Sequence, residues 1–437
     1  MDAVFGIRPL VSEARIRANL PLRPPQLNED ISRLADSSYL TARETAVGRL
    51  EEIRSYTLVT ALCAATTYLL STPADPNGAL IGPKFLHASR EMLHLYEDLD
   101  MECPDASSLV IRMFHAGAFH TVGRRCLSRH LFGAALRLSE QMQIQDPLCL
   151  QRIDPVESEL RVMASRILQM SARYHRDLEN QPLSVSDPSW SMPTNLDTSQ
   201  RATLLMLRPS RHGFPAAYES QLLFAFDLFE KVWRAASGIL TDLECLVRLD
   251  RHGRSGIVSR LLESSCQDHF LEPYSAFLSV LDHMPPYLYS PDSVELPDQT
   301  ATAIQRRQFW IQRTNLIVSY HCLRMLILNR FANYGVVKFI GVQCTDSMIA
   351  LRKTEIAHDM NAFLSSAPLD SLRVNGEACV NKIRYIGATL LEVIQQVQAP
   401  QIVDRANSLF SSLLSILANL DFRALNELAN SDYSYLS

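Results

Sequence analysis

Asp154-Pro155-Val156-Glu157-Ser158-Glu159-Leu160-Arg161 opens the stretch that decides the fold, and Gln181-Pro182-Leu183-Ser184-Val185-Ser186-Asp187, with Pro193 beyond it, closes it. The opening reads as a helix start. Asp154 can accept the free amide hydrogens of the first turn, Pro155 suits the first helical position, and Glu157 stands where a capping-box carboxylate would. The closing reads as a turn, because Pro182 and Pro188 cannot continue a helix and the Ser and Asp side chains between them favour local backbone bonds. A capped amphipathic helix leading into a polar turn is expected here.

The same alternation extends on both sides. After a Pro-containing leader over residues 1–40, Thr41-Ala42-Arg43-Glu44 has the form of a capping box for a long helix carrying Leu50, Ile53, Leu62 and Leu69. Pro83 is expected to open the next helix, with Phe85, Leu86, Met92, Leu93 and Tyr96 on one stripe. A third is expected to be capped between Asp105 and Ser108 and closed by Gly123. Between Asp187 and Pro215 the pattern breaks down, with Pro188, Pro193, Pro209 and Pro215 among Ser, Thr and Asn, and residues 194–216 read as a linker or loop. Helical periodicity then resumes. One long helix holds Leu222, Phe226, Phe229, Val232, Trp233 and Ile239; two more are expected over 257–270 and 274–283, then a Pro-rich loop from Pro285 to Pro297. Further helices are expected over 300–331, 344–364, 377–397 and 402–420. The expected fold is all-α, a bundle of packed antiparallel helical hairpins, with 41–193 as a core and 217–437 as its continuation.

Composition agrees. Glycine is 15 of 437 residues, about half its usual share of ~7 per cent, so hairpin turns and phosphate-cradling loops have little supply. The net charge of -5 argues against a surface that embraces nucleic acid throughout. Of 42 basic residues only 5 are Lys, but the 37 Arg are dispersed one or two per helix, as on solvated faces. The longest apolar stretch, Leu58 to Leu70, is 13 residues with three Thr, whereas a membrane helix needs about 20. No basic segment precedes an apolar one at the N-terminus, so no secretory signal is expected. Well-separated single cysteines fit a reducing, intracellular compartment.

Several of these segments resemble the regulatory middle domain of fungal zinc-cluster transcription factors. Leu131-Phe132-Gly133-Ala134-Ala135-Leu136-Arg137-Leu138-Ser139 is similar to that family's helix of Gly and small residues. Glu159-Leu160-Arg161 corresponds to its Glu/Arg-rich helix start, Tyr174-His175-Arg176 to its aromatic-Asp-Arg group, and the 181–193 turn to its signature "G-R-P-x-x-I-x-D-x-D-x-x-x-P". Tyr320-His321 with Arg324 resembles a later helix of the family. The likeness covers roughly residues 50 to 193 and, more loosely, the helical remainder. Departures are plain: Ser165 and Arg166 replace the paired aromatics, Gln181 replaces the Arg before Pro182, and Ser189 replaces the second Asp.

The zinc cluster itself is not in this sequence. It needs six thiolates within about 30 residues, because two zinc ions share bridging sulfurs. Cys63, Cys103, Cys126, Cys149, Cys245, Cys266, Cys322, Cys344 and Cys379 are all more than twenty positions apart. No basic run exceeds a pair, as at Arg124-Arg125 and Arg306-Arg307. An exon lost upstream of Met1 is one way such a module could be missing.

Enzyme and metal signatures are weak in this sequence. Gly253-Arg254-Ser255-Gly256 lacks the spacing and context of a nucleophile elbow or phosphate loop and reads as a turn. His115, His120, Cys126 and His130 form the best metal constellation. Yet a spacing of five sets His115 and His120 about 140 degrees apart on a helix, so core or surface roles are expected. Asp268-His269 and Asp282-His283 are adjacent pairs, which point in different directions on a helix and cannot form a base and its orienter. Trp190, Trp233 and Trp310 are read as core residues, with an effector cavity between hairpins as the alternative.

No catalytic, cofactor-binding, metal-binding or DNA-binding residue is therefore assigned, and no cofactor. The resemblance implies a nuclear, non-enzymatic transcriptional regulator or co-regulator with no DNA-binding module in this chain. It would work with a DNA-binding transcription factor or the transcription machinery, with a small-molecule effector possible and no membrane partner. The alternative is an enzyme or accessory protein repurposed from the same helical body, with His175, Arg176 and Asp177 facing a cavity.

Overall fold

The computed structural model describes residues 40–70, 76–180, 217–251 and 265–420. They form fifteen α-helices and three short 3-10 segments, with no strand among the described residues. The all-α class follows. The chain divides into two compact units: of the described residues, the first holds 40–70, 76–172 and 217–223, and the second holds 173–180, 224–251 and 265–420. The 181–193 turn and the 194–216 stretch lie outside the described residues, as do the leader over residues 1–39, Trp190 and Gly253 to Gly256.

The first unit contains α1 (Leu40–Leu70), α2 (Pro76–Leu95), α3 (Glu97–Glu102), α4 (Ala106–Thr121), α5 (Arg125–Gln141), α6 (Pro147–Gln151) and most of α7 (Pro155–Asp177). Helix α1 packs against both α2 and α4, and α4 packs against α5. Ala61 and Ala64 on α1 have no exposed surface and let the neighbouring backbones come close. The hydroxyls of Thr57, Thr60, Thr66 and Thr67 donate back to carbonyls three or four residues earlier, so polar side chains are satisfied within an otherwise apolar helix. No helix among the described residues is long and apolar enough to cross a membrane.

Helix caps follow the sequence closely. Asp105 and Ser108 form a reciprocal capping box at the start of α4. Gly123, at φ +76°, ends α4 in the left-handed region, and the Arg124 amide donates 2.9 Å to the Phe119 carbonyl. Asp154 caps α7 by accepting the Glu157 amide at 3.0 Å. Glu157 departs from expectation. Its carboxylate reaches another helix, accepting the Ala106 amide at 2.8 Å at the N-terminus of α4 and pairing with Arg161 Nε at 2.7 Å.

Two helix starts lie elsewhere than the local sequence suggests. Pro83 does not open α2 but sits inside a helix that begins at Pro76. Packing on α1 sustains the helix there: Gly82 lies so close to α1 that a Cβ would stand 3.4 Å from the Tyr68 ring. Thr41 already lies within α1, which is helical at Leu40, so it is not the N-cap.

Buried charge ties the first unit together. Asp100, on the short helix α3, has no exposed surface and accepts from Arg54 Nε at 2.8 Å, Ser108 Oγ at 2.7 Å and Arg112 Nη1 at 2.5 Å. Arg54 also donates to the Cys103 carbonyl and stands 3.5 Å from Asp105. Burial works against the Arg54 charge, but Asp105 and Asp100 outweigh it and raise its pKa. One carboxylate thus fixes α1, α3 and α4 in a single arrangement.

The second unit is built on α11 (Gln299–Asn333), whose Asp298 cap accepts the Thr300 amide at 2.8 Å. Around it stand α8 (Tyr218–Arg251), α9 (Ser265–Leu278), α10 (Pro286–Tyr289), α12 (Asp346–Ser366), α13 (Leu369–Val374), α14 (Gly376–Gln396) and α15 (Pro400–Leu420). Helices α10, α12, α13 and α14 pack directly on α11, while α15 packs on α12 and α14. Phe270 sets α9 by stacking on Phe339 at 5.9 Å and meeting Phe331 edge-on at 5.3 Å.

Here too the sequence periodicity needed correction. The two helices expected over 257–270 and 274–283 are, in the described part, one helix that runs through Pro273 to Leu278 and tightens into a 3-10 turn at Ser279–Leu281. Pro273 is exposed, so the amide hydrogen it lacks is lost on the solvent side. The Pro285 to Pro297 loop is also wound, into α10 and a 3-10 turn at Pro291–Ser293, because Leu288 and Pro291 are buried.

Replacing Asp100 with Asn leaves two buried guanidiniums without their carboxylate. Asp100→Asn is expected to cost about 3–5 kcal/mol, read as a lowered urea midpoint at unchanged slope. A loss below ~1 kcal/mol would show that Asp100 is not the tie described.

Candidate functional site

Helix α7 ends in the residues that sequence reasoning set aside, and they enter the second unit from Arg173 onward. Asp177 is 3% exposed; its carboxylate accepts from Ser237 Oγ on α8 and from Arg176 Nε at 2.6 Å. Arg330 of α11 donates to the Asp177 carbonyl at 3.3 Å and to the Asn180 side chain, placing a cation at the C-terminal end of α7, where the helix dipole favours one. Asn180 makes this possible by adopting φ +54°. His175 pairs with Glu179 at 2.7 Å. Asp177 thus ties the end of α7 to α8 and α11, whereas the His175–Glu179 and Arg176–Asp177 pairs are local to that end.

Beside them lies the polar centre of the second unit. Tyr174 accepts from Asn381 Nδ2 at 3.3 Å and lies 6.1 Å, centroid to centroid, from Trp233. Lys382 of α14 is 3% exposed, and its ammonium stands 5.6 Å from the Trp233 ring and 5.7 Å from that of Phe229. The same ammonium donates to Ser319 Oγ at 2.7 Å and to Asn315 Oδ1 at 3.4 Å on α11. Trp233 is itself 3% exposed, yet its indole N–H has no hydrogen-bond partner. Nearby in sequence on the same helices, Asn329 donates to Tyr385 Oη and Thr389 Oγ1, both at 3.0 Å, while its Oδ1 is buried without a partner.

The surroundings are strongly desolvating. Burial pushes the Cys322 thiol up to about 12 and the Cys379 thiol up to about 11, against the opposing pull of Lys382. Burial likewise raises Tyr385 to about 12. These thiols stay protonated and are not nucleophiles at neutral pH. The centre holds one cation, one unpartnered N–H donor and aromatic faces in a low-dielectric interior.

The other candidates do not converge. His115 is buried in the first unit, where its Nε2 meets Ser89 Oγ at 2.8 Å and Ser89 donates to the Thr57 carbonyl. His120 is half-buried, whereas Cys126 and His130 are exposed. No group of three or more His, Cys, Asp or Glu among the described residues is placed to hold a metal ion. His269 stands 3.9 Å from Asp242, not paired with Asp268, and both Asp282 and His283 are exposed. Of the tryptophans, Trp233 is core, while Trp310 is half-buried with its N–H on Asp292 at 2.9 Å. Sequence reasoning missed Lys382, Asn315, Ser319 and Asn381. Lys382 carried one available signal: it is one of only 5 Lys in the chain and lies on the apolar side of an amphipathic helix, between Cys379 and Ile386.

Comparison with known proteins gives no match, whether by family model, by characterised protein or by solved structure.

Two measurements test this description. Trp233→Phe keeps an aromatic ring and removes the unpartnered donor at the cost of a small cavity, so its loss is expected to be well below the about 3–5 kcal/mol of Trp233→Ala. A Trp233→Phe loss as large as that of Trp233→Ala would mean that the N–H is bonded. The second concerns pH. Burial first, then Arg90 and Arg112, hold His115 at about 3, and burial with Arg324 holds His321 at about 4. The unfolded chain protonates these imidazoles near 6.5 and the folded chain does not. Their contribution is therefore complete above that pH and is lost as pH falls from ~6.5 toward 4, by up to ~1.4 kcal/mol per pH unit for each histidine. His115→Gln is expected to flatten the drop in urea midpoint between pH 7 and 5; an unchanged slope would contradict the neutral, buried state.

Proposed function

We propose that this chain is a transcriptional regulator or co-regulator that works through a helical regulatory and interaction domain, pairing in the nucleus with a DNA-binding transcription factor. Its sensing site is the polar centre around Lys382 and Trp233, and the effector is a small molecule carrying a negative charge or a strong hydrogen-bond acceptor. What carries this proposal is the buried, unpartnered N–H of Trp233 beside the Lys382 ammonium. A donor left without a partner in a dry interior costs about 1–3 kcal/mol, so its place is understood if a ligand takes it up. The family resemblance supplies the transcriptional part. Residues that carry the resemblance, Glu159 to Arg161 and Tyr174 to Arg176, lie on α7, whose last turn borders that centre in the second unit.

Chromatin immunoprecipitation of the tagged protein, with mass spectrometry of what accompanies it, tests the proposal. Recovery of promoter DNA together with a sequence-specific transcription factor is expected. Recovery of neither chromatin nor a transcription factor would overturn the regulator reading.

A further inference from the structure

Arg313, on α11 of the second unit, is surrounded by aromatic rings from three helices. Its guanidinium carbon stands 5.1 Å from the ring centre of Trp310, 5.6 Å from that of Tyr289 on α10 and 5.6 Å from that of Phe363 on α12. The Trp310 indole is held in turn by its bond to Asp292. Cation–aromatic attraction engages the charge of a guanidinium and leaves its five N–H donors to find acceptors. Among the described residues none of those donors is hydrogen-bonded within the protein, and the Nε–H is shielded from solvent with no partner. No carboxylate among the described residues is within salt-bridge reach of Arg313, unlike Arg307, which lies 2.7 Å from Asp370.

The surroundings bear on the charge in both directions. Burial lowers the Arg313 pKa, while Tyr289 and Asp292 act against that. Asp292, spent on the indole, orients Trp310 without closing a salt bridge. Tyr289 is 65% exposed, so the cluster opens to solvent and does not enclose a small ligand in the way of a buried pocket. Arg, Tyr and Trp are also the side chains that most often dominate the energetics of protein interfaces.

We propose that Arg313, Tyr289, Trp310 and Phe363 form a docking platform for a short acidic peptide of a partner protein, which presents a carboxylate to the guanidinium and a large apolar side chain to the rings. The carboxylate of an Asp or Glu matches the planar fork of Arg313, and the neighbouring apolar group covers ring surface that is otherwise wet. The docking needs nothing from the transcriptional proposal, because every group in it belongs to this face of the second unit.

Fluorescence anisotropy of a fluorescein-labelled peptide, acetyl-Glu-Phe-Asp-Leu-Glu-Leu, titrated with the full chain at low salt, tests the platform. Saturable binding is expected. It should weaken about tenfold or more with Arg313→Lys, which keeps the charge but loses the fork, and with the exposed Tyr289→Ala. A peptide with Gln and Asn in place of its acids should weaken equally. Circular dichroism matching that of the unaltered chain shows that both variants are folded. Absence of saturable binding, equal binding of the neutral peptide, or an unaffected Arg313→Lys would each overturn the proposal. So would competition by N-acetylphenylalanine at the peptide's own affinity, since a small carboxylic acid would then be the occupant.

Discussion

A charge with no exposed surface is costly unless donors and opposite charges converge on it, and that constraint organises both units of this protein. Asp100 shows it most simply. Its oxygens gather Arg54 from α1 and both Ser108 and Arg112 from α4, so three helices with little sequence contact are forced into one geometry. Apolar attraction is non-directional and by itself would tolerate sliding between α1 and α4. The carboxylate removes that freedom. In the second unit Asp177 does the same for the end of α7, with Ser237 and Arg176 on its oxygens.

Much of this fold was legible in the sequence because helices announce themselves locally. The caps at Asp105 and Asp154 and the left-handed Gly123 act within a turn of the residues they serve, so composition at a few positions suffices. Pro83 and Pro273 misled for the complementary reason. A proline costs a helix one hydrogen bond and some bending, and tertiary packing at Gly82 or solvent at Pro273 absorbs that cost without any local trace. Glu157 belongs with them: its cap partner at Ala106 is 51 residues away.

The candidate site was less legible still. Its members come from α7, α8, α11 and α14, and no periodicity links Trp233 with Lys382 or Ser319. What local sequence could show was the polar run at Tyr174 to Asp177, which looked like a possible set of catalytic groups. The structure spends those residues on helix ends and neighbouring helices, so their polarity has a mechanical explanation. The Trp233 N–H has no such partner, and within the polar run Arg176 Nη2 is likewise buried without one.

Of the cations in the second unit that meet aromatic rings, Lys382 and Arg313 contrast most, and the contrast bears on what each can bind. Lys382 is enclosed: its ammonium already reaches Ser319 and Asn315, and the thiols beside it are driven far above their ordinary range by burial. Only a ligand small enough to enter the core, and polar enough to repay its own desolvation, can use that charge. Arg313 stands where Tyr289 is largely exposed, on a ring-lined face. Its charge can be met without taking a partner out of water completely, which favours a segment of another chain over a small molecule. The same pairing of cation and ring thus suits sensing in the interior and recognition at the surface, because the dielectric around it differs.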